Sequence, residues 1–140
     1  MYYNGTDISS YDGNVKWQNV DKAGYGDFAI LRVTVSLKPD TKFMTNYNNY
    51  VRADRPIAYY AAVHATKMST IRKEANYFLA QLKNLKRPFC VFVDMECKEQ
   101  KALSKQEVTD LLNEWLDIIM KAGYRAGVYT NPDWYKREMY

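Results

Sequence analysis

The stretch Phe89-Cys90-Val91-Phe92-Val93-Asp94-Met95-Glu96 decides how this chain folds. A run of apolar, β-prone residues ends in two carboxylates spaced i, i+2. Successive side chains of a strand point to opposite faces, so Asp94 and Glu96 emerge on the same side. Carboxylates at the end of a buried strand are unfavourable unless they are paired or used. Crowding two acids there also pushes their pKa values apart, which acid–base chemistry needs.

Outward from this strand, strand and helix alternate. Thr6-Asp7-Ile8-Ser9 ends a first strand, and residues 10–14 form a turn. Residues 15–23 read as a helix with Trp17 and Val20 on one face and Gly24 as its stop. Residues 27–34 are a continuous apolar strand. Pro39-Asp40 opens a second helix, with Phe43, Tyr47 and Val51 at helical spacing. Residues 56–63 are a third strand. Residues 70–85 form a helix turning Ile71, Ala75, Phe78, Leu79 and Leu82 inward. Beyond the Asp94 strand, Ser104-Lys105-Gln106-Glu107 is a capping box. It starts a long helix carrying Val108, Leu111, Leu112, Trp115, Ile118 and Ile119, closed by Gly123. A fifth strand, residues 125–130, leads into Asn131-Pro132-Asp133-Trp134, where a last helix begins.

Strands apolar on both faces, alternating with helices, argue for a parallel sheet covered by helices. It is either an open doubly wound sheet or part of a barrel. No Gly-rich phosphate loop follows a strand, which counts against a nucleotide-binding open sheet.

A length of 140 residues suits one domain with a proper core, and 47% hydrophobic with 26% charged residues is ordinary for a globular chain. The 13 Tyr and 3 Trp suit packing first, and also carbohydrate or nucleic-acid surfaces. The net charge of +4 comes from scattered Lys and Arg, and no nucleic-acid motif is present. Cys90 and Cys97, seven residues apart along a strand, should lie about 20 Å apart, beyond disulfide reach. Cys90 shares the parity of Asp94 and reads as a small core residue. The one His, His64, excludes multi-His metal sites, and no metal or cofactor is expected. The N-terminus lacks a signal-peptide pattern, and no segment reaches the length of a membrane span. A soluble protein, or one released by another route, is the expectation.

In parallel α/β architectures the site lies where the carboxyl ends of the strands meet. Those ends supply Asp7, Arg32, Tyr60, Asp94 with Glu96, and Tyr129 with Asn131. Each has a structural alternative. Asp7 can be a turn residue or helix cap, Arg32 its salt-bridge partner, and Tyr60 and Tyr129 core tyrosines. Two same-face acids are costly to hold for structure alone. Together the set suits glycoside hydrolysis, with one carboxyl protonating the leaving oxygen and a second stabilising positive charge or activating a nucleophile.

These residues resemble glycoside hydrolase family 25 lysozymes. The resemblance runs through Asp7-Ile8-Ser9-Ser10-Tyr11 with Gly13 and Trp17, then Phe28-Ala29-Ile30-Leu31-Arg32. It continues through Asp40, Phe43 and Asn46, the Tyr60 strand, Asp94-Met95-Glu96, and residues 123–131. Asp12 and Ala61 depart from the residues common in the family. The resemblance implies a TIM-barrel-like fold of five βα units and three further strands. It implies a muramidase that cleaves the β-1,4 bond between N-acetylmuramic acid and N-acetylglucosamine in bacterial peptidoglycan. By that similarity Glu96 is the proton donor, and Asp94 steadies the substrate's acetamido group as it attacks the anomeric carbon. Asp7 joins them as the third carboxylate. Tyr60, Arg32, Tyr129, Asn131 and Tyr11 are expected against the sugar. The enzyme would act on the bacterial cell wall, either outside the cell or after phage lysis.

The chain stops just after the fifth strand, so residues 1–140 are expected to be one catalytic domain lacking its closing strands, an incomplete barrel. Its first and last strands should be exposed edges, with an apolar interior face uncovered. A second copy covering the open edge, or reduced stability, is the consequence. Two other readings stand beside the enzyme: a non-catalytic wall-binding fragment, and a structural α/β module whose acids only make salt bridges.

Overall fold

The computed structural model of the chain describes residues 1–139. Its strands are β1 (Gly5–Ile8), β2 (Phe28–Val35), β3 (Lys38–Pro39), β4 (Ile57–Ala62), β5 (Val91–Asp94) and β6 (Ala126–Tyr129). Its helices are α1 (Trp17–Lys22), α2 (Phe43–Val51), α3 (Met68–Gln81), α4 (Lys105–Lys121) and α5 (Pro132–Glu138). Short 3-10 turns fill Ser10–Asp12 and Lys98–Ala102. The main sheet runs β1-β2-β4-β5-β6, every neighbouring pair parallel. β3 pairs antiparallel with the end of β2. The alternation read from the sequence is therefore a mostly parallel α/β sheet, and the two edges fall where expected, at β1 and β6.

Three boundaries differ from the sequence reading, each for a local reason. Pro39-Asp40 does not open a helix. Lys38 and Pro39 fold back on Val35 and Thr34, and α2 starts at Phe43. The third helix ends at Gln81, because the chain turns through Asn84 in the left-handed region at φ 67°. Asp94 closes β5, so Glu96 lies beyond the last ladder pairing.

The core lies between the sheet's outer face and the helices. Leu31, Val33, Tyr59, Val91 and Val93 are buried there against Tyr50, Ile71, Phe78, Val108 and Trp115. Helix α4 begins as its sequence demands. The Ser104 hydroxyl accepts the Glu107 N–H, and the Glu107 carboxylate accepts the Ser104 N–H at 2.8 Å. Gly123 ends the helix region at φ 89°, a backbone conformation that glycine adopts without strain.

The other face of the sheet is concave. Residues paired in register share a face, which places Asp7, Ile30, Arg32, Tyr60, Phe92, Asp94 and Tyr129 there. Gly5 and Gly127 let aromatic rings lie across both edge strands. A Cβ would come within 2.2 Å of Phe28 at the first and 3.0 Å of Phe92 at the second. At the amino ends of the strands, Tyr3, Phe28, Ile30, Phe89 and Phe92 line an apolar depression of about 580 Å³. Cys90 belongs to this face: it is half-buried, and its sulfur would sit 3.8 Å from a Cβ at Gly127. It is thus not the core residue expected, although both cysteines are free.

Among the described residues nothing covers this apolar face, and none of the helices is long and apolar enough to cross a membrane. The 140-residue chain is expected to associate, or to melt at low temperature. Sedimentation equilibrium and thermal melts check this, and a species both strictly monomeric and highly stable contradicts it.

Candidate functional site

The concave face is apolar at the amino ends of its strands and polar at their carboxyl ends. Curvature gathers the polar groups. Across the path β1-β2-β4-β5-β6, a flat sheet would hold its edges four spacings apart, about 19 Å at about 4.8 Å each. Instead, the Tyr129 hydroxyl of β6 donates to the Asp7 carboxylate of β1 at 3.5 Å. The Tyr129 ring also stacks on Tyr60, with centroids 6.1 Å apart and planes 28° apart. A register shift between Arg32 and Thr34 lies at the end of β2, where a bulge strengthens local twist.

Asp94 ends β5, and the next side chain, Met95, is fully buried on the helix side. This alternation leaves Asp94 and Glu96 on the concave side together. Burial pushes the Asp94 carboxyl from its usual 3.8 up to about 6, helped by the negative charge of Glu96 and opposed by Arg32, with Asp7 adding a smaller upward push. Its Oδ1 is buried with no protein hydrogen-bond partner. A Glu96 oxygen accepts the main-chain N–H of Asn131, at the start of α5. The Asn131 side chain is engaged elsewhere: its Oδ1 caps α5 by accepting the Trp134 N–H at 3.0 Å. The Asn131 backbone thus holds Glu96 while its side-chain oxygen caps α5.

Arg32 is held by Asp40, not by Asp7. Asp40 Oδ2 accepts from Arg32 Nε at 2.7 Å and from the Ser10 N–H at 2.9 Å. Its Oδ1 accepts the Lys42 N–H at 2.8 Å. Arg32 Nη2 also donates to the Ser10 hydroxyl at 2.8 Å. The pair is almost wholly buried, and Asp40 is saturated with donors, which is what makes a buried ion pair tolerable. The guanidinium carbon lies 5.1 Å from the centre of the Tyr11 ring, which is itself 90% exposed at the rim. Burial raises the Tyr60 hydroxyl well above the usual tyrosine range, against the pull of Arg32. The charge of Asp7 raises Tyr129, with burial second. Both hydroxyls thus stay protonated and able to donate hydrogen bonds.

The structure therefore brings Asp7, Arg32, Tyr60, Asp94, Glu96 and Tyr129 to one concave end, with Tyr11 at its margin and the Asn131 amide behind Glu96. Asp40 reads from the sequence as a helix opener and as one point of the family resemblance. Its anchoring role depends on the β2–β3 turn, which no local signal announces. Among the described residues, no cluster of three or more His, Cys, Asp or Glu side chains could hold a metal ion. Chemically, the arrangement offers a carboxyl that titrates near neutrality beside a second carboxylate, with protonated tyrosines and aromatic rings alongside. Such a set suits general acid–base work on a neutral polyol.

The family model described as glycosyl hydrolases family 25 matches residues 6–140. The chain belongs to this family. Its fold is the family's TIM-barrel-like α/β architecture, with the sheet not closed among the described residues. Solved structures agree on that fold. The CTP1L endolysin superposes with a TM-score of 0.82 at 22% identity, over 99% of this chain and 48% of that one. A family 25 glycosyl hydrolase from Bacillus anthracis gives 0.83 at 22%, over 97% of this chain and 64% of that one. The modular Cpl-1 endolysin, solved with a peptidoglycan analogue, gives 0.81 at 16%, over 100% of this chain and 40% of that one. The chain thus spans less than two thirds of the length of each. No match was found among curated protein sequences.

The charges around Asp94 make opposite predictions for two variants. Removing the positive charge with Arg32→Met should raise the Asp94 titration above about 6, and removing the negative charge with Glu96→Gln should lower it. Carboxyl carbon-13 NMR across pH 3–9 reads both; shifts in the same direction would contradict this electrostatic assignment.

Proposed function

We propose that this family 25 chain is a peptidoglycan hydrolase acting at the bacterial cell wall. The observation that carries the reading is the Asp94–Glu96 pair on the concave face, where burial, helped by Glu96 and opposed by Arg32, lifts the Asp94 titration to about 6. The finer assignment is a muramidase cutting the β-1,4 bond from N-acetylmuramic acid to N-acetylglucosamine. The peptidoglycan analogue bound by the Cpl-1 endolysin, of similar fold, supports that substrate class.

In the proposed reaction, Glu96 gives its proton to the glycosidic oxygen as the bond from the anomeric carbon breaks. The acetamido oxygen of the same sugar attacks that carbon, and Asp94, ionised above its titration, accepts the acetamido N–H. Water then attacks the anomeric carbon, the bond from that carbon to the acetamido oxygen breaks, and Glu96 takes the proton of the water. Asp7 and Tyr60 line the sugar, and Tyr129 and Tyr11 offer ring faces to its apolar side. Arg32 keeps positive charge beside the acids.

One observation favours exchanging the two acids: burial lifts the Asp94 titration to about 6, above the usual aspartate range. Paired variants separate the assignments. Glu96→Gln should lower release of reducing ends from bacterial walls by about 10²–10⁴-fold while the protein still pellets with the walls. Asp94→Asn should leave more activity than that. The reverse order moves the donor to Asp94, and full activity in Glu96→Gln removes Glu96 from the chemistry. Pelleting with no release by the unaltered chain would favour a wall-binding module instead.

A further inference from the structure

Gln100 is fully buried, although it lies in the polar run Lys98–Ala102. Its side chain is fully committed. Nε2 donates to the Val63 carbonyl at 3.1 Å and to the Ala65 carbonyl at 3.0 Å. Oε1 accepts the Cys97 main-chain N–H at 3.0 Å. Cys97 directly follows Glu96.

The segment that Gln100 grips is itself fixed from the other side. Glu74 of α3 is buried, and its carboxylate accepts the N–H groups of His64 at 3.1 Å and Ala65 at 3.3 Å. The same carboxylate accepts the Ser36 hydroxyl at 2.6 Å. The Val63 N–H donates to the Asp94 carbonyl at 2.9 Å. Residues 63–65 are thus a rigid strut, tied to α3 by Glu74, to Asp94 by the backbone, and to Cys97 through Gln100.

This matters because β5 ends at Asp94. Glu96 lies past the ladder, where no strand neighbour fixes its backbone. Buried Met95 holds it on one side, and the Cys97 amide, clamped by Gln100, holds it on the other. A bond to the backbone beside a functional carboxylate sets where that carboxylate points. A displacement of about 1 Å can cost about 10²-fold in rate.

We infer that Gln100 is a positioning residue, which holds the Glu96 carboxylate beside Asp94 by fixing the Cys97 amide to the Val63–Ala65 strut. The inference rests on the reading of Glu96 and Asp94 as the working pair. Its test does not need that reading to succeed, because it reads the geometry of the two acids without substrate.

The probe is carbon-13 NMR of the Asp94 carboxyl, with amide exchange at Cys97 and Asn131. In Gln100→Met, of similar length but unable to bond, the Glu96 carboxylate drifts from Asp94. The Asp94 titration should then move down toward the usual aspartate range, and the Cys97 and Asn131 amides should exchange faster. If the wild-type chain is active, Gln100→Met should lower kcat by about 10²-fold with little change in KM. An unchanged Asp94 titration in folded Gln100→Met overturns the inference. Should that variant fail to fold, wild-type exchange decides: an unprotected Cys97 amide overturns it, and a protected one supports it. A wild-type chain releasing no reducing ends, with the Asp94 titration still lowered in Gln100→Met, sinks the hydrolase reading and leaves the positioning role standing.

Discussion

The site depends on a five-strand parallel path curling until side chains from its two open edges reach each other. On a flat sheet the β1 and β6 backbones would stand about 19 Å apart, and here the Tyr129 hydroxyl reaches the Asp7 carboxylate at 3.5 Å. The glycines at Gly5 and Gly127 permit this by leaving room for the Phe28 and Phe92 rings over the edge strands. The bulge beside Arg32 adds twist where the polar residues collect. Apolar rings fill the amino end of the hollow and polar groups its carboxyl end. One curved surface thus makes both a hydrophobic floor and a charged rim.

Within that rim, acidic groups outnumber basic ones. Three acids, Asp7, Asp94 and Glu96, crowd one end, and a single guanidinium, Arg32, faces them. Asp40 is buried behind Arg32 and takes three donors, so the cation is fixed without being drawn away from the site. Burial outweighs Arg32 at Asp94 and lifts its titration to about 6. The hydroxyls of Tyr60 and Tyr129 stay protonated under the same acids. The result is a set of hydrogen-bond donors and a titratable carboxyl aimed into one groove, the chemistry on which the proposed hydrolysis depends.

Much of this was legible in the sequence because its signals are local. The apolar run before Asp94 marked β5, the Ser104–Glu107 box marked α4, and Gly123 marked its end. The strand-end rule collects most of the rim. What the sequence hid depends on contacts between distant segments. Arg32 took Asp40 as its partner because β3 folds back on β2, and nothing near Arg32 signals that turn. The Asn131–Pro132 pair marks the α5 cap, but the bond from the Asn131 N–H to Glu96 joins segments far apart in the chain. Gln100 sits in a run of polar residues that reads as a solvated loop, and only its burial reveals the strut it completes.

The claim that both sheet edges form one sugar site is tested most directly by amide shift mapping. A tetrasaccharide of alternating N-acetylglucosamine and N-acetylmuramic acid would be titrated into the Glu96→Gln chain, so that binding is read without cleavage. Shifts at Asp7 and Tyr129 together, with Tyr60 and Asp94 between them, are the expected result. Shifts confined to one edge, or absent from both, would contradict it.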